Sequence, residues 1–438
     1  MGHQGGMTSG MTNRWLFNLK ERHLQGERPG VFAVCSAHPV VLQTAMETAS
    51  AADQFLLVEA TANQVNQFGG YSGMTPEAFV GRLHHLARQT GLPIERVLIG
   101  ADHLGPHLWR AVPMDEAMAR TRDLLQQCVA AGFDKIHLDT GAPCASDPGP
   151  PLPLETAARR AAELCATAEE VARALRPHAP PFYVIGNETP PPGGGLEADN
   201  DVTVTDPGQL DQALDAFERA FGRLGLAEAW QRVLAVVVQP GVEFGDRQVA
   251  AFQPEAAAAL SAAHARLPGI MTYEVHATDY QTPEALRRLI DGHFTILKAG
   301  PCLTFALRCT LYALAAIEAA LPDMDAPSHL IEVMERVMLD HPAHWQSHLR
   351  GSREDMYDLR HYSLRDRIRY YWSFPDAQEA VVRLLDNLRR QIPDELLKAH
   401  LPGLFPMIQA QGLHGDPMGM VKLSVRQALD GYVEACWR

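Results

Sequence analysis

The residues best suited to chemistry stand at the ends of short apolar runs. Asp102 and His103 follow RVLIGA (96–101) and precede Leu104-Gly105-Pro106. A carboxylate beside an imidazole at a strand end can move a proton and hold a divalent cation. His276 ends MTYEVH (271–276), with Glu274 two residues earlier on the same face of a strand. Glu188 follows FYVIGN (182–187), and Gln239 ends RVLAVVVQ (232–239). Ser36 and His38 terminate VFAVCS (31–36), Glu59 closes FLLVEA (55–60), Asp139 ends DKIHLD (134–139) and Lys298 lies in FTILKAG (294–300). Any one of these reads as an ordinary loop residue. Their convergence at nearly every strand end points to one pocket, in which two histidines on opposite sides with Glu188 between them form a cage for a divalent metal. Lys298 has two readings: a Schiff-base nucleophile, which needs a lowered pKa, or an ammonium that neutralises the pocket's carboxylates. The second needs no special environment and is the expectation.

The elements that must position these residues repeat one rhythm from about residue 30 to 322. A β-branched run is followed by a Gly/Pro/Asn loop and an Ala/Leu/Arg amphipathic stretch. Helical patterns cover 40–51, 76–90, 114–131, 154–175, 209–224, 254–265, 283–290 and 303–320. Thr75-Pro76-Glu77 and Thr282-Pro283-Glu284 each set a capping hydroxyl before a proline at the first helical position. Eight strand–helix alternations predict a parallel sheet. An open doubly wound sheet is the rival, but eight is the number that closes a (β/α)8 TIM barrel, whose active sites lie at the C-terminal strand ends. The organisation expected is therefore an N-terminal tail and lead-in over 1–29, a barrel carrying the site over 30–322, and an α-helical C-terminal extension over 323–438 that packs on the barrel.

Composition bounds the function. With 438 residues, 46% of them hydrophobic, the chain can bury a large core. A net charge of -14 argues against nucleic acid and against anionic membrane surfaces, and no uninterrupted apolar run reaches the ~18 residues of a membrane span. Seven scattered cysteines with no CxxC pair give neither a zinc ribbon nor a disulfide framework. The N-terminus MGHQGGMTSGMTN lacks the apolar core of a signal peptide. A cytoplasmic protein with reduced thiols is the expectation. Two glycine-rich stretches, one around Asn66 (64–71) and one over 190–195, read as shaped loops over the pocket. Neither is a P-loop or a dinucleotide fingerprint, so no nucleotide cofactor is expected.

At this point the segments CSAHPVVL, EATANQVNQFGGYSGMTP, IGADHLGPHLW, VIGNETPPPGG, VVVQPGVEFGD, EVHATDYQTP, LKAGPCLTFALR and RIRYYW carry a resemblance. They look like the tagatose-bisphosphate aldolase Z-subunit family, whose members are also labelled tagatose-6-phosphate kinases. The likeness runs from about residue 31 to the C-terminus. That family resembles the class II fructose/tagatose-bisphosphate aldolases, which are zinc TIM barrels. The resemblance implies that Asp102 is a catalytic acid/base, that His103 and His276 are metal ligands with Glu188, and that LKAGPCLTFALR is a phosphate-binding segment. Gln239 falls where the aldolases keep another metal histidine, which widens the choice of ion from Zn to Mn, Ni, Co or Mg. Thr278 and Asp279 stand where aldolases have a glycine-rich phosphate loop, and Asp279 would repel a phosphate dianion.

Two functions follow from the resemblance. The one preferred on sequence alone is a metal-dependent ketohexose 4-epimerase, acting on tagatose, fructose or their 6-phosphates by retro-aldol opening and re-closure of C3–C4. Asp102, Glu274 and Glu188 would then handle protons, and Ser36, His38, Glu59, Asn66, Asp139, Thr278, Asp279 and Lys298 would bind substrate. The alternative is a non-catalytic stabilising subunit of a class II tagatose-1,6-bisphosphate aldolase. Its partners would be the aldolase's catalytic chain or further copies of itself.

Overall fold

The computed structural model describes residues 16–149, 151–186, 202–322 and 326–437. Eight strands are β1 (Val31–Val34), β2 (Leu56–Thr61), β3 (Val97–Leu104), β4 (Lys135–Asp139), β5 (Phe182–Gly186), β6 (Val233–Val237), β7 (Thr272–Val275) and β8 (Ile296–Ala299). All neighbours pair in parallel, and the order β1-β8-β7-β6-β5-β4-β3-β2 closes on itself. The architecture is a (β/α)8 barrel, and the open-sheet rival is excluded by the β1–β8 pairing of Val31 with Ile296.

Local chemistry explains the outer ring. Thr75 accepts the N–H of Ala78 and Thr282 that of Ala285, so both expected caps form, each with proline in the first turn. The expected helix over 254–265 is shorter, Ala258–Ala263 continuing as a 3-10 turn His264–Arg266. A two-residue antiparallel pair, Glu243–Phe244 with Val249–Ala250, is an addition between β6 and β7. It was not legible because its strands are shorter than any period-2 pattern.

The lead-in is more than a tail. From Leu16 the chain enters the barrel floor, where Leu16 and Leu19 are fully buried and Phe17 meets Phe182 edge-on at 4.7 Å. Lys20 Nζ donates to the carbonyls of Leu267 and Gly269. Beside it His23, His264 and His293 cluster, with His264 and His293 stacked at 4.8 Å and His23 Nδ1 3.0 Å from His293 Nδ1. Burial pushes His23 down to about 4 and His264 down to about 3, with the neighbouring histidine and basic residues adding to it. A histidine pKa lowered by folding means that the unfolded chain binds the proton first. Stability is therefore full above about pH 6.5 and falls as pH drops through the folded-state values. We expect the chemical-denaturation midpoint to decline between pH 6.5 and 4, and His264→Gln to flatten that decline.

The extension consists of helices Leu330–Asp340, Arg353–Tyr362, Pro375–Asn387, Asp394–His400, Phe405–Gln411 and Pro417–Trp437. The last packs against Pro301–Ala320, Pro283–Asp291 and Pro39–Ala51, so the extension shares the barrel's outer layer. Pro301–Ala320 is long and apolar enough to cross a membrane by length and composition. Leu303, Leu307, Leu311, Leu314 and Ile317 along it are all buried in this packing.

Candidate functional site

The polar residues gather in the barrel's interior near its C-terminal end, because alternation along each strand sends one set of side chains inward. On β4 that set is Lys135, His137 and Asp139, with Ile136 and Leu138 facing outward to the helices. Glu59 comes from β2, Glu274 from β7 and Lys298 from β8. Gly100 on β3 makes room for this layer. A Cβ there would lie 2.6 Å from Cγ of Glu59.

Two ammonium groups and three carboxylates form the inner layer. Lys135 Nζ lies 2.7 Å from Glu59 Oε1 and 2.6 Å from Glu274 Oε2, and all three side chains are fully buried. Lys298 Nζ contacts Glu59, lies 2.9 Å from Asp102 Oδ1 and 3.3 Å from Glu274 Oε1. Burial disfavours charge on Lys298, but Asp102, Glu274 and Glu59 outweigh it and hold the ammonium well above its usual range. Lys135 is raised in the same way by Glu274 and Glu59. Burial likewise works to raise Asp102 and Glu274, yet His103 and Lys298 around the first, and Lys135 and Lys298 around the second, hold both carboxyls well below the usual range. Lys298 thus sits as a charged partner of carboxylates, which is the opposite of what a Schiff-base amine requires.

Above this layer lie three imidazoles. His103, His137 and His276 have ring centroids 5.0–5.3 Å apart. The register of β3 against β4 shifts between Ala101 and Leu104, and His103 takes φ +53°. This bulge lets consecutive residues Asp102 and His103 both serve the mouth. Ala277, just past His276, also has φ +53°. Left-handed backbone at two non-glycine positions flanking one pocket marks a geometry held in place by its surroundings. His137 Nδ1 lies 2.9 Å from Asp102 Oδ1, and His276 Nε2 3.1 Å from Glu274 Oε1. His103 Nδ1 lies 2.8 Å from Asp139 Oδ2. Burial lowers its tendency to protonate, but Asp102 and Asp139 raise the imidazole to about 9.

One donor atom from each of Asp102, His137, Glu274 and His276 falls within 4.8 Å of the other three. Two imidazoles and two carboxylates are a chemically suitable set for a divalent ion. This set differs from the one expected. His276 belongs to it; His103 is not among these four, and its Nδ1 is bonded to Asp139 while Nε2 stays available. Glu188 lies outside the described residues. Gln239 is not a ligand in this arrangement, because its Oε1 accepts the N–H groups of Gly241 and Val242 at 2.8 and 2.9 Å and so shapes the loop after β6. His137 takes a place in the cluster that strand ends alone did not reveal. Its signal was the Lys135–His137–Asp139 alternation, of which only the last member stood at a terminus.

Several expected substrate-binding residues are occupied by the fold itself. Asn66 Oδ1 accepts the N–H groups of Phe68 and Gly70 while its amide donates to Ala62. Thr278 Oγ1 donates to the Lys298 carbonyl and lies 3.2 Å from the Tyr432 hydroxyl. Asp279 Oδ1 accepts the N–H groups of Gly300 and Cys302 at 3.0 and 2.8 Å. It caps the start of Pro301–Ala320, the place where a helix N-terminus would otherwise meet an anion. Asp279 therefore fills that position rather than repelling an anion from it. Ser36 Oγ accepts the N–H of His38 at the end of β1.

Residues 16–437 match the family described as D-tagatose-1,6-bisphosphate aldolase subunit GatZ/KbaZ-like. The chain is 43% identical over 418 residues to the D-tagatose-1,6-bisphosphate aldolase subunit GatZ of Klebsiella pneumoniae, covering 95% of this chain and 97% of that protein. It is also similar to a crystal structure from Sinorhizobium meliloti described as a probable tagatose 6 phosphate kinase. That similarity has a TM-score of 0.84 and 41% identity, over 93% of this chain and 100% of that one. These findings correct the expectation of a self-standing carbohydrate epimerase. A relative this similar along its whole length is named as an aldolase subunit, and so is the family.

Proposed function

Because the chain belongs to the D-tagatose-1,6-bisphosphate aldolase subunit GatZ/KbaZ-like family, we propose that it works as a subunit of such an aldolase, assembling with a separate chain that cleaves the sugar bisphosphate. One observation carries the reading on the side of geometry. Lys298 spans Glu59, Asp102 and Glu274, and the neighbouring cations hold Asp102 and Glu274 ionised, which suits anionic ligands better than groups that must take up and release a proton. Asp279 on the start of Pro301–Ala320 adds to it, since a sugar phosphate would find those N–H groups taken. The seven cysteines are all free, which suits a cytoplasmic setting. The test is functional. The catalytic chain of a tagatose-bisphosphate aldolase is assayed for D-tagatose 1,6-bisphosphate cleavage, with and without this chain, before and after incubation at elevated temperature. Addition should raise the rate or lengthen the half-life of the activity. An activity indifferent to it contradicts the reading.

The finer part of the proposal is that Asp102, His137, Glu274 and His276 hold one divalent ion of the Zn, Mn, Ni, Co or Mg class. Such an ion would supply Lewis-acid polarisation of a bound oxygen. This chain's residues position it: His137 through Asp102, and Glu274 through Lys135. Removing one imidazole from a four-donor set leaves an incomplete site. We therefore expect elemental analysis to find the ion in the parent and to find most of it lost in His137→Ala and in His276→Ala. Gln239→Ala should keep it. Equal metal content in all four proteins would place the ion elsewhere.

A further inference from the structure

A cavity of about 400 Å³ lies between the rim of β1 and the C-terminal extension, and none of the clustered histidines and carboxylates lines it. On the barrel side its wall includes Ser36, His38 and Arg82; on the extension side it includes Arg369, Trp372 and Val382. Leu307, Leu311, Leu385 and Val421 supply apolar surface. The volume is that of a small-molecule site.

Its charge is unlike that of the chain. The protein carries -14 overall, yet among the described residues no aspartate or glutamate lines this cavity, and two arginines do. Arg369 is held rigidly. Its guanidinium donates to the carbonyls of Arg365 and Asp366 and lies over the Tyr370 ring at 4.7 Å. The Asp366 carboxylate is already bonded to Thr304 and Arg308. Arg82 is exposed on Pro76–Thr90. Two lining side chains also carry a buried polar atom without a hydrogen-bond partner, Nε1 of Trp372 and Nδ1 of His38. Trp372 is 6% exposed, and an indole N–H can only donate, so what it lacks is an acceptor. A buried donor left unmatched is destabilising, and an acceptor-bearing ligand would satisfy it.

We propose that this cavity binds a small organic anion, a molecule with a phosphate or carboxylate group and an apolar body. The arginines and the Trp372 N–H address the anionic oxygens, and the leucines and valine address the body. The proposal stands apart from the assembly reading, because it uses none of the clustered residues. Since the walls come from both the barrel and the extension, occupancy also ties the two together and raises the melting temperature with the logarithm of ligand concentration above its dissociation constant.

The experiment is calorimetric titration of the full chain with phenyl phosphate, benzoate and benzyl alcohol. One anion should bind at a single site and raise the melting temperature, with benzyl alcohol about tenfold weaker or worse. The tighter of the two anions then identifies phosphate or carboxylate as the group read. Arg82→Glu reverses a charge at an exposed position, and Val382→Trp adds bulk at a rim residue that is 58% exposed. Both should leave the ligand-free melting temperature unchanged and weaken binding about tenfold or more. Equal affinity for the neutral and anionic probes would overturn the proposal. So would binding that survives both substitutions, or the absence of binding by either anion at millimolar concentration.

Discussion

Replacing Lys135 by methionine is expected to lower the folding free energy by about 3–5 kcal/mol, the usual cost of breaking a buried ion pair from one side. The ammonium is fully buried within 2.7 Å of Glu59 and 2.6 Å of Glu274. Without it, Lys298 alone faces Glu59, Asp102 and Glu274, and the excess negative charge cannot be hydrated in the barrel interior. The substitution is close to isosteric, so lost packing contributes little. Denaturant unfolding followed by tryptophan fluorescence checks the value. Adding Glu59→Gln to Lys135→Met should recover part of the loss, because the two residues share one network and their effects do not add. A single-variant loss under about 1 kcal/mol would mean that the interior charges are not holding one another.

A loss of similar size, about 3–5 kcal/mol, is expected for Arg308→Met. Arg308 lies on Pro301–Ala320 and is 1% exposed; Asp366, also 1% exposed, belongs to the extension. Arg308 Nε donates to Asp366 Oδ1 at 3.3 Å, and Thr304 Oγ1 donates to Oδ2 at 2.6 Å. The guanidinium stacks over Phe305 at 4.3 Å. Around this pair the segment is fastened to the barrel by Tyr280 Oη donating to the Leu364 carbonyl and by Ser363 Oγ donating to Asp246. Breaking the pair leaves a carboxylate buried against the barrel, and the extension should loosen first. Hydrogen exchange should therefore rise over residues 361–372 before it rises in β1–β8. Asp366→Asn is the milder control. Asparagine tolerates the φ of +47° found there and can still accept from Thr304. Exchange that rises equally everywhere in Arg308→Met would show that the pair does not fasten this segment in particular.

The barrel was legible because its signals are local. Each strand is a short β-branched run, each helix has an apolar period, and Thr75 and Thr282 announce their helices. The closed order follows from the count of eight. The extension was legible only as helical. Pro417–Trp437 takes its place from contacts with helices more than a hundred residues earlier in the chain, which no local pattern encodes. Within the site, Asp102, Glu274, His276 and Lys298 could be found because polar residues at strand ends must face the mouth. His137 and Lys135 lie deeper in the same alternation and needed the inward face of β4 to be read whole. Gln239, Asn66, Thr278 and Asp279 show the converse. A polar residue at a strand end looks the same in sequence whether its oxygen faces a ligand or accepts a backbone N–H, and in these four the backbone or a neighbouring side chain takes it. The functional expectation failed for a related reason. Acidic and imidazole groups gathered at one mouth were read as chemistry although Lys298 was already expected to neutralise the carboxylates, and Lys135, the second counterion, was not read as part of the pocket.

The central claim is that this chain works by assembling with another. Sedimentation velocity measures that directly, on micromolar mixtures of this chain with the catalytic chain of a D-tagatose-1,6-bisphosphate aldolase. The account predicts a boundary faster than that of either protein alone, containing both chains in fixed ratio. Two boundaries that keep their separate sedimentation coefficients at every mixing ratio would contradict it.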